Sequence, residues 1–260
     1  MFILLPPSEG KRDGGTRRSA RLSFPALDPF RAVVLDDLVK LCAAPDDAVA
    51  ALGLSPGQRD EAARNALLRS APTQPAGKVY TGVLYEALDL ATLPDDARKL
   101  AERSILVFSG LWGVVRLTDR IPTYRCPVTA RLPRVGTLQS YWRRTLAEPL
   151  TDTIGNRLVL DLRSSSYATM WTPPARTADR TAAVRILHER TVDGTGTRSV
   201  VSHFNKATKG RLVRDLTTAG AAPRTVKDLT TALRDLKYTI EHHPHIPGRP
   251  HQLDVVVPEL

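Results

Sequence analysis

The segment that most constrains the fold of this chain lies near its middle, at residues 104–125. It opens with a short apolar run, Ile105 to Phe108, whose β-branched content is typical of a buried strand. Gly110 and Gly113 follow, and glycine there permits a sharp turn or a close approach of the backbone. Charged and aromatic residues come next. The pattern predicts a buried strand that delivers a polar loop, the way α/β proteins build sites at strand ends, although an ordinary surface turn fits the same residues.

Apolar patterns elsewhere in the chain alternate between the two kinds of secondary structure. They predict strands at 2–5, 104–109, 157–162, 199–204, 236–241 and 253–257, with 105–108, 158–162 and 200–204 buried. They predict helices at 28–43, 59–69, 94–102, 138–152, 206–219 and 225–235. This interleaving predicts an α/β or mixed α+β fold. Loops are expected at 10–23 and 172–181, and neither divides the chain, so we expect a single domain over residues 1–260.

The charge of the chain is less ordinary than its apolar content. Its 260 residues include 37 Lys and Arg against 27 Asp and Glu, a formal net charge of +10. Such an excess favours a polyanionic partner, although arginine used only for solubility would give the same balance. Cys42 and Cys126 form no disulfide framework or metal pattern, and no secretion signal or membrane-length apolar run is found. We therefore expect a cytoplasmic monomer with no membrane contact, no metal and no cofactor.

Polar residues suited to binding or catalysis follow the first predicted strand. Ser8, Glu9 and Lys11 would place a hydroxyl, a carboxylate and an ammonium group at the edge of a sheet. A lysine ammonium suits phosphate as a point charge, but the spacing is not that of a P-loop. A plain turn is the alternative.

A basic block at residues 202–214 gives a second candidate. We expect a strand to end near its start and a helix to begin at Asn205, which is a suitable N-cap. Lys206 and Lys209 would then share one helix face, with Arg211 further along. An anion would be stabilised at such a helix start, whereas the alternative is a solvated basic helix.

Two predicted helical segments within residues 44–69 resemble a helix-hairpin-helix element. Gly53 and Gly57 lie in the connecting turn, where backbone N–H groups would face a phosphate. Such contacts would be independent of base sequence and strongly dependent on salt. The usual Pro-Gly-Ile-Gly core is loosened here, however, and Asp60 and Glu61 would lie near the phosphate. A plain helical hairpin fits equally well.

Two weaker signals complete the set. Arg163 follows another predicted strand and could pair with an acid or a phosphate. His242, His243, His245 and His251 lack a second ligand cluster at a compatible spacing. We interpret these histidines as surface residues of a proline-rich loop.

Four blocks of the chain, in the same order, resemble the YaaA family of bacterial peroxide-stress proteins, and the first resembles its actinobacterial branch. The blocks are the opening MFILLPPSEGK, the segment VYTGVLY at 79–85, the segment SGLWGVVRLTDRIPTYR at 109–125 and the segment VVSHFNKATKGRLVR at 200–214. The resemblance thus extends over residues 1–214. It implies a fold of its own with a central sheet, flanking helices, a positively charged cleft and a helix-hairpin-helix element.

The resemblance further implies protection against hydrogen peroxide, lowered free intracellular iron, and DNA binding without catalysis. Binding would be largely independent of base sequence, in agreement with the net charge. The residues expected to contact DNA are Lys11, Gly53, Gly57, Arg116, Arg125, Arg163, Asn205, Lys206, Lys209 and Arg211.

An enzyme that acts on a nucleotide-like or phosphorylated small molecule in the same cleft is the alternative. Its candidate residues are Ser8, Glu9, Lys11, Tyr80, Arg125, His203 and Lys206. A glutamate beside a lysine is a plausible acid/base pair, yet no nucleophile elbow, metal triad or dinucleotide motif is found. A structural or adaptor role is the third reading. Under the first two, the charged ends of Lys11, Arg125, Arg163, Lys206 and Lys209 should meet in one cleft.

Overall fold

The computed structural model describes residues 1–16, 22–192, 195–199 and 202–258. Its strands are β1 (Phe2–Leu5), β2 (Gln74–Pro75), β3 (Ile105–Ser109), β4 (Gly113–Arg116), β5 (Arg120–Ile121), β6 (Arg131–Leu132), β7 (Gly136–Thr137), β8 (Val159–Asp161), β9 (Thr181–Val192), β10 (Thr195–Ser199), β11 (Thr239–His242) and β12 (His251–Pro258). Its α-helices are α1 (Asp28–Cys42), α2 (Pro45–Leu52), α3 (Arg59–Ala66), α4 (Ala76–Val79), α5 (Val83–Leu88), α6 (Asp95–Ser104), α7 (Leu138–Ile154), α8 (Ser165–Ala168), α9 (Ala175–Ala178), α10 (Ser202–Thr218) and α11 (Val226–Asp235).

A mixed sheet forms the centre of the described part of the chain. Its strand order is β11-β12-β9-β8-β1-β3-β4, and β10 pairs with β9. The five strands from β12 to β3 run parallel, while β11 and β4 are antiparallel to their neighbours. Ile3 of β1 lies opposite both Ile105 and Leu160. Because parallel strands end at the same edge, the loops after β1, β3 and β8 are brought together.

The core lies on both sides of the central strands. β1 and β3 are buried at every position, which explains why each reads as a continuous apolar run rather than an alternating one. Trp142 of α7 is fully buried, and its indole N–H donates to the carbonyl of Gly110 at 2.8 Å. Gly113 has φ of +70°, and a Cβ there would lie 2.7 Å from the Trp142 ring. The absence of a side chain at Gly113 therefore allows the close approach of this tryptophan.

The structure confirms the mixed α/β class, and most predicted elements lie within two to four residues of those observed. The strand predicted at 199–204 is wrong in its second half. Ser199 ends β10 and Ser202 begins α10, while residues 200–201 lie outside the described residues. Phe204 lies one helical turn before the buried Thr208, and its ring packs 5.5 Å from that of His188. This contact is made from the helix, so the helix starts before Asn205.

Candidate functional site

A cavity of 560 Å³ opens where β1 and β8 end. Its walls come from the loop after β1, the start of α5, the loop that follows β5, the start of α8 and the first turns of α10. Three of the four charged residues that line it are cationic. The polar and charged lining residues are Ser8, Glu9, Lys11, Thr81, Tyr85, Tyr124, Arg125, Thr129, Ser164, Ser166, Tyr167 and Lys206. We call this space the β1–β8 cavity.

The loop after β1 holds Lys11 against the cavity wall. The Lys11 ammonium donates to the carbonyl oxygens of Ser8 at 2.8 Å and Glu9 at 3.4 Å, and it lies 4.5 Å from the ring centroid of Tyr124. Burial, together with the nearby Arg125 charge, lowers the pKa of Lys11 from its ordinary value of 10.5 to about 8. The amine is therefore mostly charged at pH 7, but its neutral fraction, about a tenth, is far larger than that of an ordinary lysine.

The loop itself is fixed by hydrogen bonds to α5 and to the segment before it. Ser8 Oγ donates to the Gly10 carbonyl at 2.6 Å and accepts from the Thr81 N–H at 3.0 Å. The Tyr85 hydroxyl donates to the Pro6 carbonyl at 2.7 Å. Ser8 therefore serves first to shape the loop.

A buried chain of hydroxyls lies behind Lys11. Ser109 Oγ accepts from the N–H groups of Leu111 and Trp112, so its own hydrogen donates to Tyr124 Oη at 2.6 Å. Tyr124 Oη in turn lies 2.9 Å from Tyr80 Oη. Burial raises the pKa of both tyrosines, which keeps them protonated and neutral. Tyr80 thus orders the wall of the cavity without lining it.

Arg125 is presented to the cavity by helix α3. The Asn65 side chain, fully buried, donates to the Arg125 carbonyl at 2.6 Å and accepts from the Arg125 N–H at 3.0 Å. One Arg125 Nη lies 3.3 Å from a carboxylate oxygen of Glu9, whose side chain is 84% exposed. Arg125 Nε is buried and has no hydrogen-bond partner among the described residues. Arg125 is thus fixed through its backbone at the cavity wall, and its guanidinium group pairs there with an exposed carboxylate.

Two of the predicted cations are used inside the protein instead. The Arg163 side chain, 1% exposed, makes a bidentate ion pair with Asp161 at 2.9 and 2.6 Å, and it donates to the carbonyls of Tyr167 and Trp171. Lys209 donates to the carbonyls of Leu162 and Arg163 at 2.9 and 3.4 Å. The expectation that both reach a common cleft is wrong, because Arg163 links the end of β8 to the segment around α8 and Lys209 links it to α10, and neither lines the cavity.

Other predicted residues lie elsewhere. Arg116 ends β4 opposite Leu106, and its guanidinium lies 5.7 Å from the ring of Phe2, at the amino end of β1. It is thus at the other end of the strand from Lys11. Gly53 and Gly57 are exposed in the turn between α2 and α3.

Only one of the α10 residues predicted to belong to the site lines the cavity among the described residues. Lys206 is exposed and lines the cavity, whereas Asn205 lies inside the helix rather than at its cap, 3.1 Å from a ring nitrogen of His188. Arg211 is exposed and donates to the hydroxyl of Thr208 at 3.2 Å. His203 belongs to the first turn of α10, and its side chain lies outside the described residues.

The structure thus brings Ser8, Glu9, Lys11, Arg125 and Lys206 together at one cavity. Sequence reasoning missed the second wall, formed by Tyr85, Tyr124 and Tyr167. The spacing of Tyr80 and Tyr85 around a glycine was visible, but only the fold shows that α5 turns Tyr85 toward the loop. The ion pair of Arg163 could have been predicted from the sequence, because residues two apart along a strand lie on the same face and Asp161 is two residues before Arg163.

Two negative findings apply to the described part of the chain. It contains no group of three or more His, Cys, Asp or Glu side chains arranged to hold a metal ion. Within the same residues, every helix is too short or too polar to span a lipid bilayer.

Comparisons with known proteins agree with the family resemblance indicated by the four sequence blocks. A family model described as peroxide stress protein YaaA matches residues 1–243. A UPF0246 protein of Streptomyces coelicolor is 52% identical over 265 residues, which covers 100% of both chains. A UPF0246 protein of Corynebacterium efficiens is 39% identical over 265 residues, covering 99% of this chain and 100% of its own. One from Ruegeria pomeroyi is 30% identical over 229 residues, covering 82% and 84%. The chain therefore belongs to the YaaA family of peroxide stress proteins.

Proposed function

We propose that this protein binds DNA without sequence preference as part of the peroxide response, and that the β1–β8 cavity receives one phosphate group. The observation that carries this proposal is the arrangement of Lys11, Arg125 and Lys206 around a space with one acidic lining residue, Glu9. Cations that face a partly buried space attract phosphate more strongly than the same cations fully exposed to water.

The volume of the cavity and the net charge of the whole chain also support DNA binding. At 560 Å³ the cavity is within the roughly 300–1,000 Å³ of ordinary ligand sites, so it accommodates a piece of a strand such as one nucleotide. The formal net charge of +10 would attract the rest of the polyanion to the protein surface.

The α2–α3 hairpin is proposed as a second contact, through its backbone. The three arginines of the hairpin segment, residues 44–69, already pair with acids: Arg59 with Asp46, Arg64 with Glu61, and Arg69 with Asp36 of α1. The hairpin therefore adds little free positive charge. The N–H groups of Ser55 and Gln58 already donate within the turn, to Gln58 Oε1 and to the Ser55 carbonyl. No atom would lie within 4 Å of a Cβ added at Gly57, so a phosphate could approach the backbone there.

A salt titration with duplex DNA tests the proposal. We expect dissociation constants of roughly 10⁻⁴ to 10⁻⁶ M at physiological salt, with log affinity falling linearly against log salt. Lys206→Gln should weaken binding and make the slope shallower by about 1. Lys227→Gln, at an exposed lysine of α11 that does not line the cavity, is the matched control.

A second change tests the hairpin separately. Gly57→Leu fills open space at a position without positive φ, so it should leave folding intact while blocking phosphate approach. Absence of DNA binding at low salt contradicts the whole proposal. Equal effects of Lys206→Gln and Lys227→Gln contradict the role of the cavity.

A second candidate function, supported by Lys11, is catalysis on a nucleotide-like or phosphorylated small molecule. Burial lowers the pKa of this lysine to about 8, so far more of it is uncharged near neutral pH than of an ordinary lysine, which favours a role as a nucleophile or base. Thermal-shift screening of nucleotides and phosphorylated metabolites tests it. Stabilisation that Lys206→Gln weakens would support the enzyme, and no stabilisation by any of these compounds would oppose it.

A further inference from the structure

We propose that Lys11 is a catalytic amine that condenses with the carbonyl carbon of a phosphorylated aldehyde held in the β1–β8 cavity. The inference rests on the second candidate function and names its chemistry. The product of the step is an imine between Lys11 Nζ and the aldehyde carbon.

The geometry of the amine is the first argument. An uncharged amine has two N–H bonds and one lone pair, and two carbonyl oxygens, of Ser8 and Glu9, lie at 2.8 and 3.4 Å from Lys11 Nζ. Both hydrogens of the neutral form are thereby occupied on one side of the nitrogen. The remaining tetrahedral position on the nitrogen is taken by neither carbonyl, and Lys11 is one of the residues that line the cavity, so we place the reacting carbonyl carbon at that position.

The protonation of the amine agrees with this role. With a pKa of about 8, roughly a quarter of Lys11 is neutral at pH 7.5, against about 0.1% of an ordinary lysine. Burial is the larger cause and the charge of Arg125 the next. The amine therefore needs no separate base to activate it, which is consistent with the neutral hydroxyl groups of Tyr80 and Tyr124 behind it.

The surroundings of Lys11 define the ligand class. Arg125 and Lys206 provide two cations for a phosphate group, and the buried Arg125 Nε still lacks a partner among the described residues. Thr81, Ser164 and Ser166 add polar side chains to the lining, which suits a hydroxylated carbon chain. A small sugar-like aldehyde with a terminal phosphate combines these features.

The step balances without an oxidant or a reductant. The Lys11 lone pair forms the C–N bond, the carbonyl electron pair moves to oxygen, and a proton passes from nitrogen to that oxygen. The resulting carbinolamine loses its hydroxyl group and the remaining nitrogen hydrogen as one water molecule. One amine and one aldehyde thus give one imine and one water, which leaves through the open mouth of the cavity.

Reductive trapping tests the proposal on the wild-type protein. Glyceraldehyde 3-phosphate is supplied with sodium cyanoborohydride, which reduces an imine to a stable secondary amine, and peptide mass spectrometry measures modification at each lysine. We expect Lys11 to be labelled at least tenfold faster than the exposed Lys40, Lys78 and Lys99. Unphosphorylated glyceraldehyde should label it more slowly, and the rate should rise with pH to a midpoint near 8.

Two variants separate the imine from simple binding. Lys11→Arg keeps a positive charge but cannot form an imine, so trapping at this position should vanish while glyceraldehyde 3-phosphate still shifts the melting temperature. Lys206→Gln should reduce the preference for the phosphorylated aldehyde. If wild-type Lys11 is labelled no faster than exposed lysines although the compound binds, the imine proposal is overturned and the binding function stands. If nothing binds and nothing is labelled, both fail.

Discussion

Among single residues, Lys11 has surroundings far from those of a surface lysine. Its pKa in the folded protein is about 8, below the ordinary 10.5, because burial disfavours the ammonium form. Below pH 8 both the folded and unfolded states hold the proton, and the desolvation cost of the charge is fully present. Between pH 8 and 10.5 the unfolded chain holds more protons, so this group makes the folded state more stable as pH rises.

Lys11→Met removes this titration and gives a direct test. The free energy of unfolding of the wild type, measured by urea denaturation, should rise relative to that of the variant between pH 7.5 and 9.5, because the wild type alone sheds a buried charge. Burial also raises the pKa values of several tyrosines, which contribute to the pH dependence of unfolding in both proteins. Subtracting the free energy of unfolding of the variant from that of the wild type removes this shared contribution. A constant difference across this range would show that Lys11 titrates as an ordinary lysine.

The two cysteines are expected not to sense peroxide. Burial raises the pKa of Cys126 to about 12 and also raises that of Cys42, while the thiolate is the form that reacts. Treatment of the folded protein with hydrogen peroxide should leave both thiols unmodified by mass spectrometry, and a thiol reagent should react with both only after guanidinium unfolding. Rapid sulfenic acid formation at either cysteine in the folded protein would refute this.

At the scale of elements, the crossing of α10 and α5 depends on Gly210. A Cβ there would lie 2.1 Å from the carbonyl of Leu84 and 2.9 Å from the Cβ of Ala87. Gly210→Ala should therefore push the helices apart and destabilise the protein by about 1–3 kcal/mol. Gly57→Ala, with nothing within 4 Å, is the matched control and should change the unfolding midpoint little. Equal midpoints for both variants would mean that α10 can move freely.

Local signals were sufficient for the longer helices, whereas the short helices α4, α5, α8 and α9 were not predicted. α1 and α11 were predicted almost to the residue, and α11 begins with a capping box in which Thr225 and Asp228 exchange hydrogen bonds. β9 was not predicted, because Arg185 and Glu189 interrupt its apolar pattern. Their charges are matched by Asp254 of β12 and Arg198 of β10. The partner of Arg185 lies 69 residues further along the chain, so a local window does not contain it.

The candidate site was likewise predictable only in part from local sequence. Ser8, Glu9 and Lys11 were identified because they follow a strand, and strand ends are a property of local sequence. The lowered pKa of Lys11 depends on its burial and on Arg125, more than one hundred residues away. Whether a basic residue faces the cavity or the interior, as Lys206 and Lys209 do respectively, depends on tertiary contacts that helical spacing alone does not decide.

For the whole molecule, we expect residues 1–260 to unfold as one domain. The α2–α3 hairpin is tied to the cavity by both hydrogen bonds of Asn65, and the sheet runs without interruption from β11 to β4. Differential scanning calorimetry should give one transition whose calorimetric and van't Hoff enthalpies agree. A separate transition, lost when the hairpin is destabilised by Asn65→Ala, would instead assign residues 44–69 to an independent unit.

The position of β1 also governs how the chain can fold while it is being synthesised. β1 lies between β3 and β8, so its two neighbours begin at Ile105 and Val159. At a synthesis rate of about 5–20 residues per second, the second neighbour follows roughly 8–30 s after β1. The first neighbour, β3, follows β1 after roughly 5–20 s at the same rate, and until then the apolar side chains of Phe2–Leu5 have no sheet to enter. The nascent chain should therefore depend on a chaperone that covers its beginning until the middle of the chain has left the ribosome.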